Sequence, residues 1–353
     1  MSFKHLFSRA LEAAPGRLHF AAHSHHLWPD ASWEGQAQAW HDAARLADHK
    51  WDKVFAEVVP EAQRHMAREL ALPDPATIAF APNTHELLVR IVSALPMPRP
   101  RMLATDGEFH SFRRQSQRWA EAGQIELVTV PPERLLATAQ TGGFDLIFTS
   151  QVGFGTGRPL GDLAPFAALA RPEGPWAVID GYHGFMATPT DLSGVADQIF
   201  YLAGGYKYAM AGEGVCFLHA PPGYAPRPVN SGWYASFDTL AGPQGEVSYA
   251  ANGARFLGST FDPSGLYRFN AVQRMLSAEG LTTAAISAHC DALKARFVAA
   301  DSLPGFELLS DPTARFLAFQ GEGAAAIHDR LAAQGVITDV RDDVLRIGFA
   351  LYQ

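Results

Sequence analysis

The chain has 353 residues, 48% hydrophobic and 18% charged, an ordinary globular composition with enough length for a large domain and a smaller one. A formal net charge of −8 and a pI of about 5.9 leave no basic face for a nucleic-acid backbone. Cys216 and Cys290 are too few for a disulfide framework, the N-terminus lacks the apolar run of a signal peptide, and no segment reaches the ~18 apolar residues of a membrane span. The expectation is therefore a cytoplasmic protein with neither nucleic acid nor membrane as partner.

Segments 34–48 and 52–71 read as amphipathic helices; the second places Val54, Phe55, Val58, Ala62, Met66 and Leu70 at helical spacing. Thr77 to Ala81 reads as a short strand stopped by Pro82, after which Asn83 or Thr84 caps a helix from His85 to Leu95. Strand Arg101–Thr105, helix His110–Ala122 and strand Ile125–Val130 follow. Phe144 to Val152 and Trp176 to Asp180 read as buried strands on either side of a helix at Leu163–Ala170, and strands Gln198–Ala203 and Gly214–His219 complete the series. Alternating strands and helices predict an α/β fold: a mostly parallel, seven-stranded-type sheet between helices. After about residue 280 the pattern changes to a helix at 284–300, strand-like FELLS and ARFLAF, a helix near 324–334 and short terminal strands. This predicts a large domain over 31–280 and a small α+β domain over 281–353, to which residues 1–30 contribute together with an active-site loop.

In a doubly wound sheet, ligands bind beyond the carboxyl ends of the strands. Three groups fall there: Asp180 after WAVI, Lys207 in Gly204-Gly205-Tyr206-Lys207-Tyr208, and Asn83-Thr84-His85 at a strand-to-helix turn. A helix N-terminus suits a phosphate. A carboxylate can hold a pyridine nitrogen protonated, and a lysine can form an aldimine and then act as acid or base. Taken singly, the Asp also reads as a turn residue, the Lys as a solvated loop residue and Asn83 as an ordinary N-cap. Their order, with Asp180 preceding Lys207 by 27 residues (207 − 180) across one strand, points to a pyridoxal-phosphate (PLP) site.

The runs AVIDGYHGFMATPTDL and ADQIFYLAGGYKYAMAGEGVCFLH resemble fold-type I PLP enzymes of the class V aminotransferase superfamily, and within it most closely kynureninase. The resemblance implies that Lys207 carries the cofactor, Asp180 meets its ring nitrogen, and His183 lies near its phenolic oxygen or the substrate. It further implies that Asn83, Thr84 and Tyr206 meet the phosphate, and that Phe109 stacks on the ring with Ser111 nearby. Trp233, in SGWYASF, matches a tryptophan of the phosphate region. Thr260, in LGSTF, matches a threonine that reaches the site of a neighbouring subunit, which implies a homodimer. Arg346, in VLRIGFALY, would grip a substrate carboxylate, and Ser24 and His25 belong to a substrate loop, AAHSHHLWP. The implied partner is a small-molecule amino-acid substrate, and the implied reaction is kynureninase-like hydrolysis of the Cβ–Cγ bond of a γ-keto amino acid, through a Lys207 aldimine and a quinonoid. A class V aminotransferase or another PLP lyase is the alternative on the same scaffold, and a non-catalytic homologue a third.

Departures from the family pattern cluster away from the cofactor residues. Gly153 and Gly155 stand where Asn and Arg are usual, Phe261-Asp262-Pro263 follows Thr260 in place of prolines, His23, Ser24, His25 and His26 replace smaller residues, and the usual terminal helix is not seen after Arg346. Gly153, Gly155 and Gly157 do not complete a dinucleotide loop, because the third glycine of that motif would fall at Arg158. The His23–His26 run lacks partner ligands and reads as a polar loop, so no metal is expected. Cys216 on a strand and Cys290 on a helix do not read as a desulfurase nucleophile.

Overall fold

The computed structural model describes residues 2–239, 245–300, 303–311 and 313–353. A seven-stranded sheet forms the centre of the protein. Its strands are β2 (Ile78–Ala81), β3 (Arg101–Thr105), β4 (Glu126–Val130), β5 (Leu146–Ser150), β6 (Trp176–Asp180), β7 (Ile199–Gly204) and β8 (Cys216–His219), preceded in the chain by β1 (Leu18–His19). The order across the sheet is β2-β8-β7-β6-β5-β3-β4, and only β8 runs against its neighbours. The α/β class expected from the sequence is therefore the class observed. Strands β7 and β8 are buried at every residue and β6 at all but Asp180, which is why they read as unbroken apolar runs rather than alternating ones.

Helix Thr84–Ser93 begins as its cap predicts, with Asn83 Oδ1 accepting from the Glu86 backbone N–H at 2.9 Å. The amphipathic segment near 52–71 is helical throughout but passes through a π-turn at Val54–Val58 between Lys50–Lys53 and Val59–Glu69. Helix Ser264–Ala278 was not expected. It packs on Asp30–Leu46 so closely that a Cβ on Gly35 would lie 2.5 Å from the Tyr267 carbonyl oxygen, a contact only glycine allows.

The last part of the chain follows helix Thr283–Ala299. It builds a four-stranded antiparallel sheet of β9 (Glu307–Leu308), β10 (Phe316–Gln320), β12 (Asp339–Arg341) and β13 (Val344–Gly348), in the order β12-β13-β10-β9. Beside it, β11 (Val336–Ile337) pairs in parallel with β1, so the N-terminal segment joins the C-terminal elements. Among the described residues no helix is long and apolar enough to cross a membrane.

Candidate active site

The parallel strands end together at Thr105, Ser150, Asp180 and Gly204, and the loops leaving them converge on one cavity of about 390 Å³. Lys207 sits three residues past β7 in a tight loop. The Met210 N–H donates to the Lys207 carbonyl at 3.0 Å and the Ala211 N–H to the Gly205 carbonyl at 2.9 Å. Buried Arg268 donates from Nε to the Ala211 carbonyl at 2.7 Å and fixes the loop to helix Ser264–Ala278. Gly205 has to be glycine, because a Cβ there would stand 2.3 Å from Val215 Cγ1. The loop thus drives the Lys207 side chain inward, where it is 6% exposed.

Lys207 Nζ lies 5.2 Å from the Tyr182 ring centre and 5.9 Å from that of Phe109, and makes no hydrogen bond or ion pair among the described residues. Burial pushes its amine down to about 7, partly opposed by the Asp180 carboxylate. Asp180 lines the same cavity, and its Oδ1 accepts from the Tyr182 N–H at 2.9 Å. Burial raises it to about 6, against the pull of that hydrogen bond and of Lys207. His183 is also buried in the wall, with neither ring nitrogen hydrogen-bonded; burial, then the charges of Lys207 and Arg346, hold the imidazole well below its ordinary value, so it is neutral. Asn83, Thr84, Ser111 and Tyr206 complete the cavity, with the N-terminus of helix Thr84–Ser93 opening onto it.

Arg346 is 1% exposed and stands just outside this lining. It lies opposite Asp339 in the β12–β13 pair, and its Nη2 donates to Asp339 Oδ2. Its Nη1 donates to the Phe154 carbonyl at 2.7 Å, its guanidinium lies over the Phe154 and Phe316 rings, and its Nε has no partner. His25 is exposed and stacks on Tyr206 at 4.9 Å, while Ser24 contacts His25 rather than the cavity. Trp233 and Thr260 do not line the Lys207 cavity: the Trp233 ring packs on Tyr234 at 4.0 Å as part of an aromatic cluster with Phe237, and Thr260 is exposed.

Three residues enter the picture that the sequence did not single out. Glu108 accepts from Thr105 Oγ at 2.7 Å, the Ser150 hydroxyl at 2.5 Å and the Ser150 N–H at 3.1 Å, tying the ends of β3 and β5; burial raises it to about 7. Its only signal was its place beside Phe109 in GEFHS. Phe154 and Asp339 gave none, because Phe154 meets a residue 192 positions on and Asp339 meets Arg346 only through the register of the β12–β13 hairpin. The two cysteines are both buried, and burial pushes the Cys216 thiol up to about 12, partly opposed by its contact with the Tyr182 hydroxyl. Among the described residues no cluster of three or more metal-ligating side chains occurs.

The cavity thus offers a deprotonatable amine, a half-buried carboxylate, an imidazole with two uncommitted nitrogens, an aromatic ring and a helix N-terminus. That donor set fits a ligand combining a carbonyl, a heteroaromatic ring with a basic nitrogen, a phenolic oxygen and a phosphate.

No protein-family model matches the chain. Over 194 residues it is 31% identical to isopenicillin N epimerase of Streptomyces clavuligerus, a stretch covering 51% of this chain and 48% of the epimerase. The chain thus spans about half the length of the curated relative it matches. Among solved structures it superposes on a mutant of C-DES with glycine covalently linked to its PLP cofactor, at a TM-score of 0.82 and 19% identity over 100% of this chain and 96% of that one. The cysteine desulfurase CsdA of Escherichia coli gives a TM-score of 0.80 and 20% identity over 99% and 93%. At these identities the likeness establishes the fold.

Proposed function

We propose that the protein is a PLP-dependent enzyme that removes the α-proton of an amino-acid substrate. The observation that carries this reading is the convergence of Lys207, Asp180 and His183 on one cavity at the N-terminus of a capped helix. Solved structures of the same fold add support: in one, C-DES has glycine covalently linked to its PLP cofactor, and in another the cystine C–S lyase C-DES holds its product cysteine persulfide.

When bound, PLP supplies an electron sink for negative charge at the substrate α-carbon. Lys207 would hold it covalently, and its amine, neutral for about half the molecules at pH 7, is the base for the α-proton. Asp180 would keep a proton on the ring nitrogen. Neutral His183 can donate from one nitrogen and accept at the other, toward the phenolic oxygen or the substrate. Asn83, Thr84 and Tyr206 would take the phosphate, Phe109 would cover the ring with Ser111 beside it, and Arg346 would bind the substrate carboxylate next to the loop of Ser24 and His25. Thr260 and Trp233 are exposed on this protomer, so their expected roles require a second copy of the chain in a homodimer.

Kynureninase-like hydrolysis is the narrower expectation from the sequence, whereas the similar proteins are an epimerase, a cystine C–S lyase and a cysteine desulfurase. Epimerisation, elimination and transamination all begin with the same proton removal. Sulfur transfer to an enzyme thiol is disfavoured, because both cysteines are buried and their thiols raised. The test has two parts. PLP-loaded protein should show a visible band that borohydride reduction traps as a mass increment on the Lys207 peptide. Amino acids incubated with it in D₂O should exchange their α-proton, and product analysis then assigns the reaction. A trapped adduct on another lysine would overturn the assignment.

A further inference from the structure

A second, larger cavity of about 750 Å³ adjoins the first, and Ser150 and Phe154 line both. The Lys207 cavity, at about 390 Å³, lies near the lower end of the range for one drug-sized ligand, so the cofactor leaves little room in it for a substrate side chain. On the reading above the α-carboxylate is assigned to Arg346, whose Nε is unpartnered and whose Nη1 holds the Phe154 carbonyl. From an α-carbon near Lys207, the way left open passes Phe154 into the larger space.

We propose that this second cavity is the side-chain subsite, so that the substrate is an amino acid with a long side chain ending in a neutral or zwitterionic polar group. This rests on the amino-acid reading above. The lining decides the chemistry of the far end: it carries Arg113, Arg158 and Arg341, the last paired with Asp339, together with Glu108, Glu133, Asp342 and Asp343, so charges of both signs offer donors and acceptors together. Phe154 stands at the passage, its ring 5.1 Å from Phe109, 5.4 Å from His110 and 5.9 Å from His183. It is therefore the specificity-determining residue: it borders the cofactor cavity on one side and the side-chain cavity on the other.

The experiment titrates PLP-loaded protein with racemic alanine, glutamine and Nε-acetyl-lysine, reading the visible cofactor band. Affinity is expected to rise along the series, by about tenfold or more from alanine to Nε-acetyl-lysine. Gly155→Leu supplies the structural control. Gly155 lines the second cavity, and a Cβ there meets nothing within 4 Å, so a side chain at this position starts in open space. In that variant, with the cofactor band intact, the ratio of long-chain to alanine affinity should fall about tenfold. Alanine binding as well as or better than Nε-acetyl-lysine would overturn the subsite and leave the amino-acid reading standing. An intact cofactor band on Lys207 that no amino acid moves would sink both.

Discussion

Burying Lys207 carries a stability cost whose size and pH dependence follow from its surroundings. Its amine titrates near 7 in the fold against the 10.5 of an unperturbed lysine. Between those values the unfolded chain binds more protons, so the fold gains stability as pH rises from 7 to 10.5, while below 7 the penalty is constant. At pH 7 it amounts to roughly 4 kcal/mol. Replacing Lys207 with Met removes the penalty but also removes the positive charge that pulls Asp180 down, which returns part of the cost; a net gain of roughly 2–4 kcal/mol is expected at pH 7. By pH 10 the gain should shrink to about 1 kcal/mol or less. Thermal midpoints of cofactor-free wild type and Lys207→Met, measured from pH 6.5 to 10, read the difference directly, since other titrating groups are common to both. For a chain of this size the gap is a few degrees at pH 7, closing as pH rises. A gap independent of pH, or a variant less stable than wild type at pH 7, would refute the reasoning.

The same titration governs cofactor capture. Covalent attachment needs the neutral amine, so its rate should climb from pH 6 to 8 and level off above, a profile that stopped-flow absorbance will show; a flat profile across pH 6–8 rejects the lowered Lys207. Asp180→Asn should still bind PLP but slow α-proton exchange by roughly 10²-fold or more, measured by NMR in D₂O. Asp339→Asn leaves Arg346 buried without its carboxylate partner and should cost about 3–5 kcal/mol in denaturant stability; a loss under 1 kcal/mol would mean that Arg341 and Arg346 do not depend on it. Glu108→Gln should be mild by comparison, because an amide keeps the packing and Glu108 is already near half-protonated at pH 7; the check is an unchanged thermal midpoint to within ~2 °C.

The central sheet was legible because parallel strands buried on both faces leave continuous apolar runs, as in WAVID and IFYLA, with polar residues at the ends where the chain turns. Asp180 and Lys207 stand at such ends, so topology alone placed them on one edge. Helix Ser264–Ala278 escaped notice for the opposite reason. Eleven of its fifteen residues are buried, polar ones such as Arg268, Asn270 and Gln273 included, so it has no polar face to mark its period. The Arg346 surroundings were equally hidden. Arg346 could be picked out by likeness, but its pairing with Asp339 depends on strand register, and its cover by Phe154 joins residues 192 positions apart. The larger cavity has no sequence signal at all, since it lies between a glycine-rich loop, a helix start and a hairpin of the C-terminal sheet.

The arrangement of buried charge gives these pieces a common logic. Asp339 is shared between Arg346 and Arg341, the latter at 3.3 Å, so two cations meet one anion and a single positive charge is left over. Neutral His23, stacked on Phe316 with its Nε2 3.5 Å from Asp339, adds no charge to the count because burial holds it near 4. One residual positive charge, with Arg346 Nε unpartnered, is what one carboxylate would neutralise. In the cavity that Phe154 also lines, Lys207 and Asp180 make no ion pair with each other, and uncommitted His183 lies beside them. Such groups are costly in a folded chain unless a ligand completes them. On the proposed reading PLP would complete Lys207, Asp180 and His183 and a substrate carboxylate would complete Arg346, and Phe154 lies between the two sets, lining the Lys207 cavity and holding Arg346 through its carbonyl.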